Sequence, residues 1–440
     1  MAAGLREEAA AVRAVLVADR LLTLNAKNTV HAPGAVAIAG NTIVAVGSPE
    51  TMPPGEVQHL TGHVLLPGLV NTHTHSPMWL FRGLTEDVPR GAWLTERMRP
   101  LELQMTPNDL ASGALAGCLE MLLNGVTTVA DRYGHMDVVA PAVEASGLRA
   151  IVAHSLYDAT ADDGLERTHR LIERYGTDPT RSRVTVALGP HATDTCGPDL
   201  LRRVRGLADR SGARVVIHLA QSTAEVEAVQ ARAGLTCAAY LANLGLLAPD
   251  VVVAHATYLT RDEAELVGQQ GTAVAHCPSS NAKLEGRVAP IGRLRAAGAV
   301  VGLGTDAACC NNSTDMFQEM KLAGLLNKVA AGDPAVFDTT DLLRIATIDG
   351  ARALGLDGLI GSIEVGKRAD IIALDMTGAH VQPWHRDAPN LVYAARGSDV
   401  LAVWVNGVQL VRDGRPTRLD PSAILAEASR CAAKLEYAVG

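Results

Sequence analysis

The apolar residues of this chain follow one pattern at its two ends and another in its middle. Between Ala11 and Gly47, and again in RADIIALDM and VLAVWVNGVQLVRDGRP near the C-terminus, short runs of Val, Ile, Leu and Ala are broken by Asn, Gly and Pro. This pattern is typical of hairpin strands, and Asn406-Gly407 is a two-residue turn signal. Because the strands at either end lack partners unless the ends meet, the pattern predicts one composite β-sandwich domain built from residues 1–66 and 367–440.

The middle of the chain alternates apolar runs with amphipathic helical stretches such as Asn108 to Asn124, Thr223 to Leu244 and Arg261 to Gln270. The sequence contains eight such runs: VLLPGLVNTHTH, VTTVAD, RAIVAH, VTVALGPH, RVVIHLAQ, VVVAHAT, TAVAHCP and VVGLGTD. Eight parallel strands with intervening helices close a (β/α)8 barrel, so residues 67–366 are predicted to form a TIM barrel of the α/β class. The active site of this fold lies where the strands end.

Composition and charge narrow the classes of partner. The 440 residues carry 39 Lys and Arg against 47 Asp and Glu, a formal net charge of −8, which argues against nucleic acid or an anionic membrane as the main partner. No run of 18 apolar residues offers a membrane span, and Met1 to Val12 lacks the apolar core of a secretory signal. The seven cysteines form no C-x-x-C pair, so we expect a reduced, cytoplasmic protein.

Most of the eight runs stop at a side chain that can bind a metal or move a proton. These residues are His73, His75, Asp131, His154, His191, His218, His255, His276 and Asp306. A single histidine beside an apolar run is more often a hydrogen-bonded core residue than a ligand. Their recurrence at the ends of successive runs instead indicates a shared site at the barrel mouth, with Asp131 assigned to hydrogen bonds within the barrel.

Four of these residues form a set suited to a divalent metal. His73 and His75 alternate along the first barrel strand and therefore face the same side, where both can bind one cation. His218 on the fifth run and Asp306 on the eighth complete a nitrogen-rich set with one carboxylate. This set suits zinc, with iron or manganese as alternatives. Such an ion lowers the pKa of a bound water towards neutrality and provides a hydroxide nucleophile.

The motifs LPGLVNTHTH, GPH, IHLAQ, VAHAT, HCPSSNAKL and GTDAACCNNSTDMFQEM resemble those of the amidohydrolase superfamily, in its mononuclear-metal branch of aminohydrolases and chlorohydrolases. Within that branch the chain is most similar to the methylthioadenosine and S-adenosylhomocysteine deaminases, which release ammonia from adenine nucleosides. The resemblance covers nearly the whole chain, including both β-rich ends. It implies a small-molecule substrate and a homo-oligomer, since the family commonly dimerises through barrel helices.

The resemblance also implies roles for individual residues. His73, His75, His218 and Asp306 match the metal ligands, and Asp306 also accepts a proton from the bound water. His255 orients that water, and His191 contacts the substrate ring. Trp93 provides an aromatic wall. Glu102 matches a carboxylate that binds the ribose hydroxyls, although a solvated helix face is an equal interpretation of this residue.

One departure from the family pattern concerns proton transfer. The family has a glutamate three residues after the fifth-strand histidine, where this chain has Gln221. A primary amide neither accepts nor releases a proton near pH 7, so deamination is expected to be slow. Three explanations remain open: a deliberate Glu-to-Gln change, a natural variant that expels a group needing no protonation, such as chloride, or a protein that binds its ligand without turnover.

A second departure concerns the far end of the substrate. Relatives that accept S-adenosylhomocysteine hold its carboxylate with arginines on the loop after the third strand, whereas here His154 replaces one of them and Glu166-Arg167 straddles the other. Arg167 could hold that carboxylate only if the loop is shifted by one residue relative to the relatives. This difference favours adenosine, methylthioadenosine, 5′-deoxyadenosine or a related modified nucleoside over S-adenosylhomocysteine as the substrate.

The sequence therefore predicts a metal-dependent hydrolytic deaminase of an adenine-type nucleoside. Two alternatives stand beside it: a chlorohydrolase or aminohydrolase of triazines or pterins on the same fold, and a catalytically silent nucleoside-binding protein.

Overall fold

The computed structural model describes residues 12–88 and 90–437. Within these ranges the chain forms seventeen strands: β1 Val12–Leu22, β2 Val30–His31, β3 Gly34–Ala39, β4 Thr42–Gly47, β5 Val57–Pro67, β6 Leu69–Thr74, β7 Val126–Tyr133, β8 Arg149–Leu156, β9 Val184–Pro190, β10 Val215–Leu219, β11 Val251–His255, β12 Ala273–His276, β13 Val301–Leu303, β14 Ile371–Asp375, β15 Val400–Val405, β16 Val408–Arg412 and β17 Arg415–Pro416. The expectation about a secretory signal in Met1 to Val12 falls almost wholly outside the described residues.

Most of the helices lie between strands β6 and β14 in the chain. They are α1 Arg90–Ala92, α2 Arg99–Gln104, α3 Pro107–Leu123, α4 Met136–Ser146, α5 Ala161–Tyr175, α6 Pro198–Ser211, α7 Thr223–Ala233, α8 Cys237–Asn243, α9 Arg261–Gln269, α10 Pro278–Glu285, α11 Ile291–Ala296, α12 Ala308–Asn311, α13 Met316–Ala331, α14 Thr339–Ile345, α15 Ile348–Ala353, α16 Asp387–Tyr393 and α17 Pro421–Tyr437, with a π-helical turn at Trp93–Met98 between α1 and α2. Across the described ranges, no helix is both long enough and apolar enough to span a bilayer.

Strands β6 to β13 form one parallel sheet in sequential order. The sheet curves until its edges meet: the backbone N–H of Asp306, just after β13, donates to the carbonyl of His73 on β6 at 3.0 Å. The Thr72 hydroxyl likewise donates to the carbonyl of Leu303 at 2.9 Å. These contacts and the helices between the strands confirm the predicted (β/α)8 barrel. Small and branched residues such as Ala130, Ile151 and Val216 fill its interior.

The remaining strands form a second, mixed sheet from both ends of the chain, in the order β17-β16-β15-β14-β5-β1-β3-β4 with β2 on β1. β5 of the N-terminal part pairs with β14 of the C-terminal part, which confirms that the two ends share one sheet. Asn406 and Gly407 connect β15 to β16 with positive φ angles of 52° and 76°, as the two-residue turn requires. The exact domain limits at residues 66 and 367 stay a prediction.

Two expectations of detail are wrong. The run VLLPGLVNTHTH is two strands, because β5 belongs to the mixed sheet and only β6 enters the barrel. Gly68 separates them, and a Cβ there would lie 2.2 Å from the Thr127 side chain, so the close approach to β7 needs glycine. The stretch from Thr223 to Leu244 is two helices, because Gly234 ends α7 at φ 66° and the Thr236 hydroxyl caps α8.

A buried ion pair joins the barrel to the mixed sheet. Arg149 at the start of β8 donates from Nε and Nη2 to the two carboxylate oxygens of Asp370, at 2.9 and 3.1 Å. Their side chains are 4% and 1% exposed. We expect Arg149→Ala to lower the free energy of unfolding by about 3–5 kcal/mol, because the Asp370 carboxylate is left buried without its cation. Urea unfolding at neutral pH measures this loss.

Arg202 provides the matched control, because its ion pair with Asp199 is exposed. Arg202→Ala should lower stability by less than about 1 kcal/mol. Equal losses in the two variants would contradict the argument from burial.

Candidate active site

A cavity of about 310 Å³ opens at the carboxyl ends of the barrel strands. Seven of the nine predicted site residues line it, namely His75, Trp93, Glu102, His191, His218, Gln221 and Asp306. The other two, His73 and His255, are buried, and each ring centroid lies within 5.3 Å of the His218 ring centroid. The structure therefore places all nine residues in one region.

The histidines and Asp306 form a compact cluster at the cavity floor. The ligand atoms of His73, His75 and His218 lie within 4.8 Å of one another, as do those of His73, His255 and Asp306. Asp306 Oδ1 lies 3.4 Å from His75 Nε2 and 3.7 Å from His73 Nε2. The four side chains predicted to bind a metal are thus close enough to contact one ion, with His255 beside them.

Hydrogen bonds at Nδ1 orient two of these rings, those of His75 and His255. His75 Nδ1 donates to the carbonyl of Arg132, and His255 Nδ1 donates to Asn281 Oδ1 at 3.0 Å. Within the described part of the chain, the buried Nε2 atoms of His73 and His255 have no hydrogen-bond partner. Buried nitrogen atoms aimed at a common point beside a carboxylate fit a bound cation, because an unsatisfied polar atom is otherwise costly.

The protonation states also suit a cation. Burial, together with the neighbouring His75, holds the pKa of His73 well below its usual value, and burial lowers the pKa of His75 to about 4. Burial alone would raise the pKa of Asp306, but His255, the other imidazoles and the Ser280 hydroxyl bring it well below the usual range. Neutral imidazoles and an ionised carboxylate are the forms that coordinate metals.

Unusual backbone angles direct two of these side chains into the site. On β11, Val252 and Ala254 face the barrel interior, so regular alternation would turn His255 outward. His255 instead adopts φ 71°, and its Nε2 lies 3.9 Å from Asp306 Oδ2. Asp306 itself adopts φ 56°. Left-handed angles at residues other than glycine store strain and concentrate at functional sites.

The segment from α1 to α2 covers one side of the cavity and carries Trp93 and Glu102. Trp93 is 6% exposed. Glu102 accepts a hydrogen bond from the Tyr133 hydroxyl at 2.8 Å, and burial raises the pKa of its carboxyl group. Glu102 therefore faces the cavity, and the interpretation as a solvated helix face is wrong. His191 stacks on Tyr157 with ring centroids 4.7 Å apart, and its Nδ1 bonds to Thr195 Oγ1.

Gln221 is held by an arginine that the sequence analysis did not identify. Its Oε1 accepts from Arg90 Nη2 at 2.9 Å, while Arg90 Nη1 donates to Glu285 Oε1 at 2.8 Å. The backbone N–H of Gln221 donates to Glu225 at 2.8 Å. Because Arg90 occupies the amide oxygen, the amide nitrogen is left as the donor that Gln221 can offer to a ligand.

Two further cavity residues, Arg132 and Tyr133, were also missed. They follow Asp131, where the second apolar run was taken to stop, but β7 continues to Tyr133. The sequence offered one sign of this: in the segment Asp131-Arg132-Tyr133, the two residues after Asp131 still belong to the strand. Asp131 accepts hydrogen bonds from the backbone N–H and hydroxyl of Ser76, consistent with its predicted role inside the barrel.

Three other candidates lie away from the cavity. His154 accepts a hydrogen bond from the backbone N–H of Met136 at the start of α4, and His276 is fully buried. Arg167 forms ion pairs with Asp163 and Asp137. None of the three lines the cavity within the described chain.

Comparison with known proteins adds a family and several relatives. The family model described as "Amidohydrolase family" matches residues 64–410. The chain is 39% identical over 423 residues to the 5-methylthioadenosine/S-adenosylhomocysteine deaminase of Pelotomaculum thermopropionicum, covering 94% of this chain and 97% of the relative. It is 40% identical over 412 residues to the 5′-deoxyadenosine deaminase of Methanothermobacter thermautotrophicus, covering 91% and 95%.

A solved structure extends the similarity to three dimensions. The adenosine deaminase from Xanthomonas campestris with bound zinc superposes with a TM-score of 0.93 at 33% sequence identity. The match covers 97% of this chain and 99% of that chain.

Proposed function

The chain belongs to the amidohydrolase family, and from that premise we propose that it removes the amino group of an adenine-type nucleoside by hydrolysis, with release of ammonia. The observation that carries the proposal is the position of the His73, His75, His218 and Asp306 cluster at the floor of a cavity whose wall carries Glu102. The four-residue cluster would support hydrolysis, and the carboxylate of Glu102 would bind a sugar. The relatives named as deaminases of adenosine derivatives support this substrate class.

A divalent metal fits the cluster, and we infer that it is zinc, with iron or manganese as alternatives. Three imidazole nitrogens and one carboxylate are a common zinc ligand set, and the related adenosine deaminase structure has bound zinc. When bound, the ion lowers the pKa of a water and makes it nucleophilic at neutral pH. His73, His75, His218 and Asp306 would hold it.

Asp306 and His255 would act on the attacking water, Asp306 as proton acceptor and His255 as a contact that orients it. Asp306 is ionised, because its pKa lies well below the usual range for an aspartate, and its carboxylate would take up the proton that the water loses. The Ser280 hydroxyl donates to Asp306 Oδ2 at 2.5 Å and so fixes the carboxylate. His255 Nε2 is free to contact the water, since Asn281 fixes its other nitrogen.

Ammonia release needs protons on the ring nitrogen and on the leaving amine, and Gln221 cannot supply them. Because Arg90 occupies its amide oxygen, Gln221 can offer a ligand a hydrogen bond from its amide nitrogen but no proton. We therefore expect the hydrolysis to be slow, with the proton on Asp306 as the nearest source.

Ammonia release tests the proposal. Protein loaded with zinc is incubated with adenosine, 5′-deoxyadenosine, methylthioadenosine, a chlorotriazine and a pterin. The proposal expects ammonia from the nucleosides alone. Release of chloride or ammonia from the triazine or pterin and not from any nucleoside would contradict it.

Glu102 tests the placement of the sugar. We expect the unsubstituted protein to bind adenosine about 10–100-fold more tightly than 2′,3′-dideoxyadenosine, because hydrogen bonds to a charged group typically contribute about 1.5–3 kcal/mol. In Glu102→Ala the two ligands should bind with similar affinity. Isothermal titration calorimetry measures both constants without requiring turnover.

Tyr133→Phe is the matched control, because it removes the hydroxyl bonded to Glu102 and retains the carboxylate. This variant should keep most of the preference for the diol. A preference that survives in Glu102→Ala would assign the sugar to another part of the cavity.

A further inference from the structure

Arg90 links the segment that covers the cavity to the amide of Gln221. Its Nη2 donates to Gln221 Oε1 at 2.9 Å, and its Nη1 donates to Glu285 Oε1 at 2.8 Å. The other oxygen of Glu285 accepts from the Tyr258 hydroxyl at 2.8 Å. The guanidinium is therefore fixed by a carboxylate on one side, while its other terminal nitrogen reaches the Gln221 amide.

This contact decides which end of the Gln221 amide faces a ligand. A guanidinium only donates hydrogen bonds, so the amide oxygen, and not the nitrogen, has to face Arg90. Glu225 accepts from the backbone N–H of Gln221 at 2.8 Å, which holds the main chain at the same residue. Gln221 is 9% exposed and lines the cavity, and no hydrogen bond within residues 12–88 and 90–437 involves its Nε2. Nε2 is thus an unpaired donor that Arg90 prevents from exchanging places with the amide oxygen.

The amide lies close to the histidine cluster. Gln221 follows His218 by three residues, just beyond the end of β10, and both residues line the cavity together with Asp306. Burial lowers the pKa of His255, and the charge of Arg90 lowers it further, so the guanidinium is within electrostatic reach of that ring. A ligand whose reacting carbon faces the cluster therefore brings its neighbouring ring atoms towards Gln221.

We propose that Arg90 is a positioning residue that makes Gln221 an obligate hydrogen-bond donor, so that the site selects nucleosides whose ring nitrogen N1 is an unprotonated acceptor. This inference rests on the proposed function. With the amino-bearing carbon at the cluster, N1 is the ring nitrogen bonded to that carbon. Adenine has a lone pair at N1, whereas hypoxanthine, the product of the deamination, carries a hydrogen there. The site therefore favours its substrate over its product.

The discrimination depends on the occupied amide oxygen. A carboxyl group at position 221 would accept hydrogen bonds when ionised and donate one when protonated, so it would suit either base. An amide without Arg90 would turn its oxygen towards the N1–H of hypoxanthine. With Arg90 in place, two donors face each other instead. Leaving a buried donor unsatisfied typically weakens binding by about 10–100-fold.

Three nucleosides test the proposal by binding. Adenosine has an acceptor at N1, 1-deazaadenosine has a C–H there, and inosine has an N–H. Stopped-flow quenching of tryptophan fluorescence measures the dissociation constants of the zinc-loaded protein, because Trp93 lines the cavity and binding precedes the slow hydrolysis. We expect adenosine to bind about 10-fold more tightly than 1-deazaadenosine and about 10–100-fold more tightly than inosine.

Arg90→Met should remove most of the discrimination against inosine. Because the amide can then turn, inosine should bind about 10–100-fold more tightly than it does to the unsubstituted protein, while the affinity for adenosine changes little. General damage to the cavity does not produce such a gain for one ligand. Arg90→Lys should keep part of the preference, since an ammonium group also only donates. Arg97→Met is the control, because Arg97 is exposed on the same segment and does not line the cavity within the described chain.

Equal binding of adenosine and 1-deazaadenosine by the unsubstituted protein would overturn the proposal, because N1 would then not contact the amide, and this comparison needs no variant to fold. An affinity for inosine that is the same in Arg90→Met and in the unsubstituted protein would overturn it as well. If ammonia is released from adenosine and either of these results is obtained, the deaminase function stands and the role of Arg90 fails. If no adenine nucleoside binds or reacts, both fail.

Discussion

Gln221→Glu is expected to raise kcat/KM for ammonia release from adenine nucleosides by about 10²–10⁴-fold, the usual contribution of general acid–base catalysis. The substitution keeps the shape of the side chain and adds a group that can carry a proton from the attacking water to the ring and the leaving amine. The new carboxylate would lie beside Arg90, which now donates to the amide oxygen of Gln221 at 2.9 Å. That arginine favours the ionised form, in which the side chain can accept the first proton.

The measurement is steady-state ammonia release by the protein with Gln221 and by the variant, loaded with the same metal. Gln230→Glu is the control for added charge, because Gln230 is exposed on α7 of the same chain segment. This control should leave the rate unchanged. Metal content has to be equal in all three samples.

The result also separates the three explanations for Gln221. A large gain with nucleosides means that Gln221 disables a deaminase. Faster turnover by the protein with Gln221 than by the variant, with a chlorotriazine as substrate, would mean that the site expels a leaving group that needs no protonation. Nucleoside binding without turnover in either form would favour a binding protein.

The barrel and the position of the site could be predicted from the sequence because both depend on local patterns. Each barrel strand is a short apolar run, and the polar residue that ends it reaches the same mouth in every βα unit. Asp306 and His218 are far apart in the chain, yet each could be assigned from its own run. The resemblance to the amidohydrolases added roles for Trp93 and Glu102, which no periodicity indicates.

The features that were missed depend on contacts between distant segments or on backbone angles. Arg90 reaches Gln221 from 131 positions away, and nothing near either residue indicates that contact. His255 enters the site through a positive φ angle that contradicts strand alternation. Such strain persists only where surrounding packing enforces it, so it cannot be deduced from one run. Arg132 was missed for a simpler reason, because β7 is two residues longer than its apolar core.

Asp306→Asn is expected to lower kcat for ammonia release by at least about 10²–10⁴-fold, because the amide cannot accept a proton from the attacking water. The experiment is best made in the Gln221→Glu background, where the starting rate is higher. The three imidazoles of His73, His75 and His218 remain, so the variant should still bind metal, with weaker affinity than the parent. Metal content by plasma mass spectrometry and ammonia release on the same samples therefore separate the loss of a ligand from the loss of a proton acceptor.

Ser280→Ala provides an intermediate variant for this comparison of ammonia release. It removes the hydroxyl that donates to Asp306 Oδ2 and leaves the carboxylate in place. Removal of such an orienting contact typically costs about 10–100-fold, so this variant should fall between the parent and Asp306→Asn. If Asp306→Asn, with its metal retained, released ammonia as fast as the parent, Asp306 would not be the proton acceptor. The proton would then have to pass to His255, which is not among the four predicted metal ligands and whose Nε2 has no hydrogen-bond partner within the described residues.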